Sequence, residues 1–216
     1  MITKKENFLI NVKKEDEESV NSINFYEIYK KIKEFYNSQR DLQIRIKFLY
    51  SIEEFEFYSS DKFETWKAAF CGYPNMIFIF APSVIENVTS HKKSEIPSLI
   101  AHELSHILYG NMKFVNIPLI NEGIAEYLGQ YERNINSDKK IIAEAKIEDF
   151  LMGSSDAGKF YLLSFFFVKK IIDISSKEKL FSFLSELTNA SDKSFSTFNA
   201  LFKKNFNGGI ENFNLN

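Results

Sequence analysis

Apolar residues change their spacing along the chain, and those changes mark its elements. Behind the acidic stretch 15–18, they recur over residues 20–38 at Ile23, Tyr26, Tyr29, Ile32 and Phe35 or Tyr36, a helical spacing that predicts an amphipathic helix. Leu42, Ile44, Ile46 and Phe48 then alternate with Gln43, Arg45 and Lys47, the period of a strand with one buried face. Ser51, followed by Ile52, Glu53 and Glu54, reads as an N-cap and acidic first turn of a short helix. A less regular stretch runs through Trp66 to Cys71, and Gly72, Tyr73, Pro74 and Asn75 read as a turn. Met76–Phe80 is a short β-favouring run stopped by Ala81 and Pro82. It is either an edge strand along which an extended peptide pairs or a strand buried within the sheet. After Glu95 the spacing stays helical, with helices expected near 95–109, 118–131, 138–151, 157–174, 176–188 and 192–204.

These elements predict an α+β fold: a small mixed sheet within the first 80 or so residues, then a mostly helical remainder. No repeat of solenoid length and no Pro-, Gly- or Ser-rich linker divides the chain. One domain over 1–216 is therefore expected, with a sheet-bearing part at 1–93, a pair of helices at 94–131 and a helical lobe at 132–216. The apolar run 160–168 is bounded by Lys159, Lys169 and Lys170 and falls short of the ~20 residues a membrane span needs. A helix apolar on all sides reads instead as buried.

Charge and composition then narrow the function. Lys plus Arg total 27 against 29 Asp plus Glu, a net charge of -2, which lacks the basic field that holds nucleic acid phosphates. Cys71 is the only cysteine, so no intrachain disulfide forms, as suits a reducing compartment. Only four apolar residues follow Lys4 and Lys5, from Phe8 onward, too few for a signal-peptide core. A soluble, cytoplasmic chain is expected. The 23 phenylalanines read as compositional drift more than as function.

Candidate chemistry lies in the segment 94–110, SEIPSLIAHELSHILYG, with Ser94 as N-cap candidate, a proline tolerated in the first turn and Gly110 as stop. It contains His102-Glu103-Leu104-Ser105-His106. On a helix the two histidines project about 40° apart and about 6 Å along the axis, close enough to grip one ion. Glu103 lies about 60° beyond His106, where its carboxylate reaches a metal-bound water without being a ligand. Ile100, Leu104, Ile107 and Leu108 anchor the helix elsewhere. A catalytic zinc takes three protein ligands and keeps one position open. Sixteen residues after His106 comes Glu122, within Asn121-Glu122-Gly123-Ile124-Ala125-Glu126-Tyr127, on a second helix opened by Pro118. Glu122 and Glu126 thus stand one turn apart. The plainer alternatives are hydrogen-bonded histidines on an ordinary helix and a solvated Glu126. His91, in the polar loop 90–93, receives no role.

HExxH followed by NEGxAEY resembles the gluzincins, the thermolysin-like zinc peptidases that include the neutral zinc aminopeptidases. The resemblance is specific over 101–127 and looser over 42–175. Residues 66–82 look like the turn and strand before the active-site helix, and 161–171 is similar to the later helix of small gluzincin-like domains that begins with tyrosine. It implies a zincin minidomain with Zn2+ held by His102, His106 and Glu122, Glu103 as general base, Glu126 as the acceptor orienting His102, and a peptide or protein as substrate. Tyr161 is implied as the donor to the tetrahedral oxyanion, its alternative being an amphipathic core residue. The GxMEN-like element of the neutral aminopeptidases has no counterpart before the helix. Repressor-cleaving proteases of mobile elements also carry HExxH, but NEGxAEY fits the gluzincin pattern better. From a different class, the alternative is an inactive peptidase-like metal-binding module that binds a peptide or partner without cutting it.

Overall fold

A computed structural model describes residues 2–72, 74–129, 147–210 and 213. The chain is α+β and falls into two compact units, Met1–Leu108 and Tyr109–Asn216. The cut lies inside one continuous helix, α5 (Ile96–Asn111).

Among the described residues of the first unit, strands β1 (Ile2–Lys5), β2 (Phe8–Asn11), β3 (Ile44–Leu49), β4 (Ala69–Gly72) and β5 (Met76–Phe80) form one mixed sheet in the order β1-β2-β3-β5-β4. β2, β3 and β5 run parallel, while β1 and β4 pair antiparallel at the two ends. The alternation read for β3 holds: Ile44, Ile46 and Phe48 are buried and Arg45 is exposed. In register, Phe8 meets Ile44, and Ile46 meets both Ile10 and Ile77, which makes one apolar face. On that face Phe8 packs against Phe25 and Tyr29 of helix α2 (Phe25–Phe35). The other face carries Phe78 and Phe80, where Phe55 and Tyr58 of helix α3 (Ile52–Ser59) stack on them at 5.4 and 4.9 Å.

The helix expected over 20–38 is two: α1 (Glu17–Asn21) and α2, split where the Asn24 side chain accepts from the Glu27 amide at 3.2 Å and starts a new helix. The irregular stretch before the 72–75 turn ends in a strand, β4, held by the stacking of Phe70 on Phe78 at 4.8 Å. β5 lies between β3 and β4, so Met76–Phe80 is an interior strand, and the sheet edge on that side is β4. The β1–β2 hairpin lies in a stretch where no strand is expected. Ser51 caps α3 as expected, accepting from the Glu54 amide at 3.3 Å. Helix α4 (Ile85–Val88) follows β5. Ser94 caps nothing, because a 3-10 turn, Lys93–Glu95, leads directly into α5 and the Glu95 carboxylate accepts from the Lys92 amide. Gly110 does not stop α5 either; the helix runs to Asn111, and the left-handed residue beyond it is Lys113 at φ 58°.

The second unit contains α6 (Pro118–Gly129), α7 (Ala157–Ile174), α8 (Lys177–Asn189) and α9 (Phe195–Phe206) among its described residues. The sequence places all four to within a few residues, and α7 at its observed bounds. Side chains of Asp156, Ser176 and Ser194 cap the last three. Most of the helix expected at 138–151 lies outside the described residues; 147–150 form a single 3-10 turn. The abundant phenylalanines have a packing role: Phe183, Phe198 and Phe202 are buried and in mutual ring contact, and buried Phe167 stacks on Phe202. No described helix is long and apolar enough to cross a membrane.

Candidate metal centre

α5 buries Ile96, Ile100, Leu104 and Leu108 along one side, the i, i+4 stripe that fixes which face remains for polar groups. On the remaining face, His102 is 8 % exposed and His106 is half-buried. Their Nε2 atoms face each other at 3.1 Å, with the rings nearly perpendicular. Glu103 is 7 % exposed, so this acidic side chain is withdrawn from solvent next to the pair. Buried polar side chains of this kind are rare unless something compensates them.

Glu122 is carried by α6, and the sequence accounts for its placement. Pro118 opens the helix, where its missing amide hydrogen costs nothing, and the amides of Ile120 and Asn121 both donate to the Ile117 carbonyl. The loop before α6 is tied down within its own unit. The Tyr109 hydroxyl donates to the Val115 carbonyl at 2.7 Å, and the Val115 amide donates to Thr188 Oγ1 at 2.8 Å. Burial pushes the Tyr109 phenol well above the ordinary tyrosine range. Next to Glu122, Gly123 lets α6 approach α7 closely. A Cβ there would lie 2.2 Å from the Ser164 carbonyl oxygen and 2.6 Å from Val168 Cγ2. Gly123 therefore sets how α6 sits on α7, and its neighbour Glu122 inherits that setting.

His102, His106 and Glu122 form a group able to hold a metal ion, each offering one ligand atom, all within 4.8 Å of one another. The donor set fits zinc chemically, since two imidazoles and one carboxylate make one of the recurring catalytic sets. The imidazole pair fits in spacing as well. Two nitrogens bound at about 2.0–2.1 Å to a tetrahedral ion stand about 3.3 Å apart, and the imidazole pair is already within a few tenths of an ångström of that. Neither a known protein family nor a curated protein matches the chain in sequence, so the reading rests on these residues.

Of the other residues singled out, Glu126 is buried on α6, one turn beyond Glu122 and 5 % exposed, not the solvated carboxylate of the plainer reading. Tyr161 is half-buried in the second turn of α7 and makes a tilted ring contact with Phe160 at 5.9 Å. His91, assigned no role from sequence, is a structural clamp. Its Nδ1 lies 2.9 Å from the Glu95 carboxylate and its Nε2 3.0 Å from the Trp66 carbonyl. Sequence reasoning passed over Gly123, which sets the close crossing of α6 on α7, and Ser105, fully buried on α5 between the two histidines. The signals were present: a glycine in the middle of a good helix-forming segment, and a serine set between the two histidines of α5.

Proposed function

We propose that the chain is a zinc-dependent peptidase of the gluzincin type, a thermolysin-like minidomain in which His102, His106 and Glu122 hold the metal. The convergence of three ligand atoms within 4.8 Å carries this reading, with a buried glutamate beside them at Glu103. A zinc ion bound there supplies Lewis acidity, polarising a peptide carbonyl and bringing the pKa of water toward about 7.

The chain's own groups do the rest. The Glu103 carboxylate accepts a proton from the attacking water as it adds to the carbonyl carbon, then delivers that proton to the amine nitrogen as the C–N bond breaks. The resemblance assigns Glu126 to the second ring N–H of His102, where it would hold the imidazole in the tautomer that presents Nε2 as a ligand; among the described residues, no hydrogen bond reaches His102 Nδ1 in the structure. The Tyr161 hydroxyl donates to the developing oxyanion. With β5 interior, β4 is the sheet edge along which an extended substrate pairs.

The test is cleavage of a mixed peptide library by the zinc-loaded protein, with and without chelator. Cleavage should vanish on chelation and return with zinc. Glu103→Gln should keep one equivalent of zinc and lose about 10²- to 10⁴-fold in turnover. Full turnover by metal-loaded Glu103→Gln would overturn the base assignment. One equivalent of zinc with no cleavage of any peptide would identify an inactive binding module instead.

A further inference from the structure

We propose that Tyr36 is a positioning residue for the metal centre, setting the rotation of α5 through a hydrogen bond to Ser105; the inference rests on the metal reading above. Tyr36 and Ser105 are both fully buried at 0 % exposure, and their hydroxyl oxygens stand 2.9 Å apart across 69 residues of sequence. Tyr36 ends α2, where its amide donates to the Ile32 carbonyl at 3.1 Å. α2 in turn is fastened to the sheet by Phe25 and Tyr29 against Phe8. The phenol therefore projects from a fixed base.

Ser105 is the residue between the two histidines that points to neither the ligand face nor the apolar stripe. At about 100° per residue it lies about 60° to one side of His102, while Glu103 lies about 60° beyond His106 on the other. The apolar contacts of Ile100, Leu104 and Leu108 are non-directional and tolerate small rotations of α5 about its axis. A hydrogen bond between two dry hydroxyls is directional and does not. Rotating α5 by about 20° would carry a side-chain tip about 6 Å from the axis through about 2 Å, as long as a zinc–nitrogen bond. Both imidazoles and Glu103 would move together, so a single bond on the flank of the helix beside His102 controls the aim of all three.

Tyr29 provides the internal control. It is a buried tyrosine on the same helix, and its hydroxyl accepts from the Leu42 amide at 2.7 Å rather than reaching α5. The experiment measures zinc dissociation constants by competition with a chromogenic chelator, well below each variant's unfolding temperature, for wild type, Tyr36→Phe, Ser105→Ala, the double variant and Tyr29→Phe. The cobalt(II) absorption spectrum of each reports coordination geometry. Tyr36→Phe and Ser105→Ala should each weaken zinc binding about tenfold, in the range of supporting groups around metal ligands. The double variant should be no worse than either alone, and the cobalt spectra of all three should shift alike. Tyr29→Phe should lower stability and leave both readouts unchanged. Ser105→Ala also serves if Tyr36→Phe does not fold, because alanine favours the helix. Tight zinc binding by wild type with unchanged constants and spectra in the variants overturns this inference alone. Absence of zinc binding by wild type overturns the metal reading and this inference with it.

Discussion

Replacing Gly123 with alanine sets two physical effects against each other. Helix propensity alone favours alanine over glycine by about 1 kcal/mol in a helix interior. The structure opposes it, because the added methyl would sit 2.2 Å from the Ser164 carbonyl oxygen and 2.6 Å from Val168 Cγ2. The first is a backbone atom that cannot swing aside, so α6 and α7 must part by about 1 Å to restore ordinary van der Waals distances. Overpacking of this kind costs about 1–3 kcal/mol or somewhat more. With the upper end apt for a backbone clash, the net is a loss of about 2 kcal/mol, or about 4–8 °C in Tm for a chain of this size. Urea denaturation of the apo protein followed by circular dichroism measures the loss, and a zinc titration should show weakened binding because Glu122 moves with α6. Gly123→Ala with stability equal to or above wild type would refute the close crossing and leave propensity as the whole effect.

Glu122→Ala should weaken zinc binding by more than about 100-fold, and Glu126→Gln by about tenfold, the outer-shell range; equal effects in a chelator competition would contradict the division of roles. Asp16 is 2 % exposed and accepts from both the amide and the hydroxyl of Ser83 at 2.9 and 2.7 Å. Asp16→Ala should therefore cost about 2 kcal/mol in urea unfolding, and a loss under about 0.5 kcal/mol would argue against this clamp. Stability should also fall at alkaline pH. Burial, reinforced by the charges of Asp16 and Glu15, pushes the Tyr50 phenol up to about 12, and burial raises Tyr109 as well. A folded-state value above the unfolded one, near 10, leaves this stability intact below pH ~10 and removes it as pH rises through about 12. Denaturant midpoints and phenolate absorbance should move together in that window, and a flat midpoint up to pH 12 would contradict the shift.

Much of the site is legible in the sequence because its geometry is local. Histidines four apart share a helix face wherever a helix forms, and the apolar stripe through Ile100, Leu104 and Leu108 ensures that one does. β3 and α7 are legible for the same reason: a clean alternation in one, a capping Asp156 and a sustained apolar run in the other. What escapes local reading is set by partners distant in sequence. β2 is a four-residue strand stabilised by pairing Phe8 with Ile44, and the interior place of β5 follows from strand order, which no local pattern encodes. The break between α1 and α2 hides because Ile23 continues the helical spacing while the Asn24 side chain restarts the helix. Gly123 and Ser105 acquire meaning only from Ser164, Val168 and Tyr36, which lie 41 or more residues away.

The most direct test of the central claim is X-ray absorption at the zinc edge on the purified, zinc-reconstituted chain, alongside its metal stoichiometry. One zinc per chain is expected, in a four-coordinate nitrogen and oxygen shell at about 2.0–2.1 Å with two imidazoles and no sulfur, lost in both His102→Ala and Glu122→Ala. A chain that retains no zinc, or whose zinc shell survives those substitutions unchanged, would contradict it.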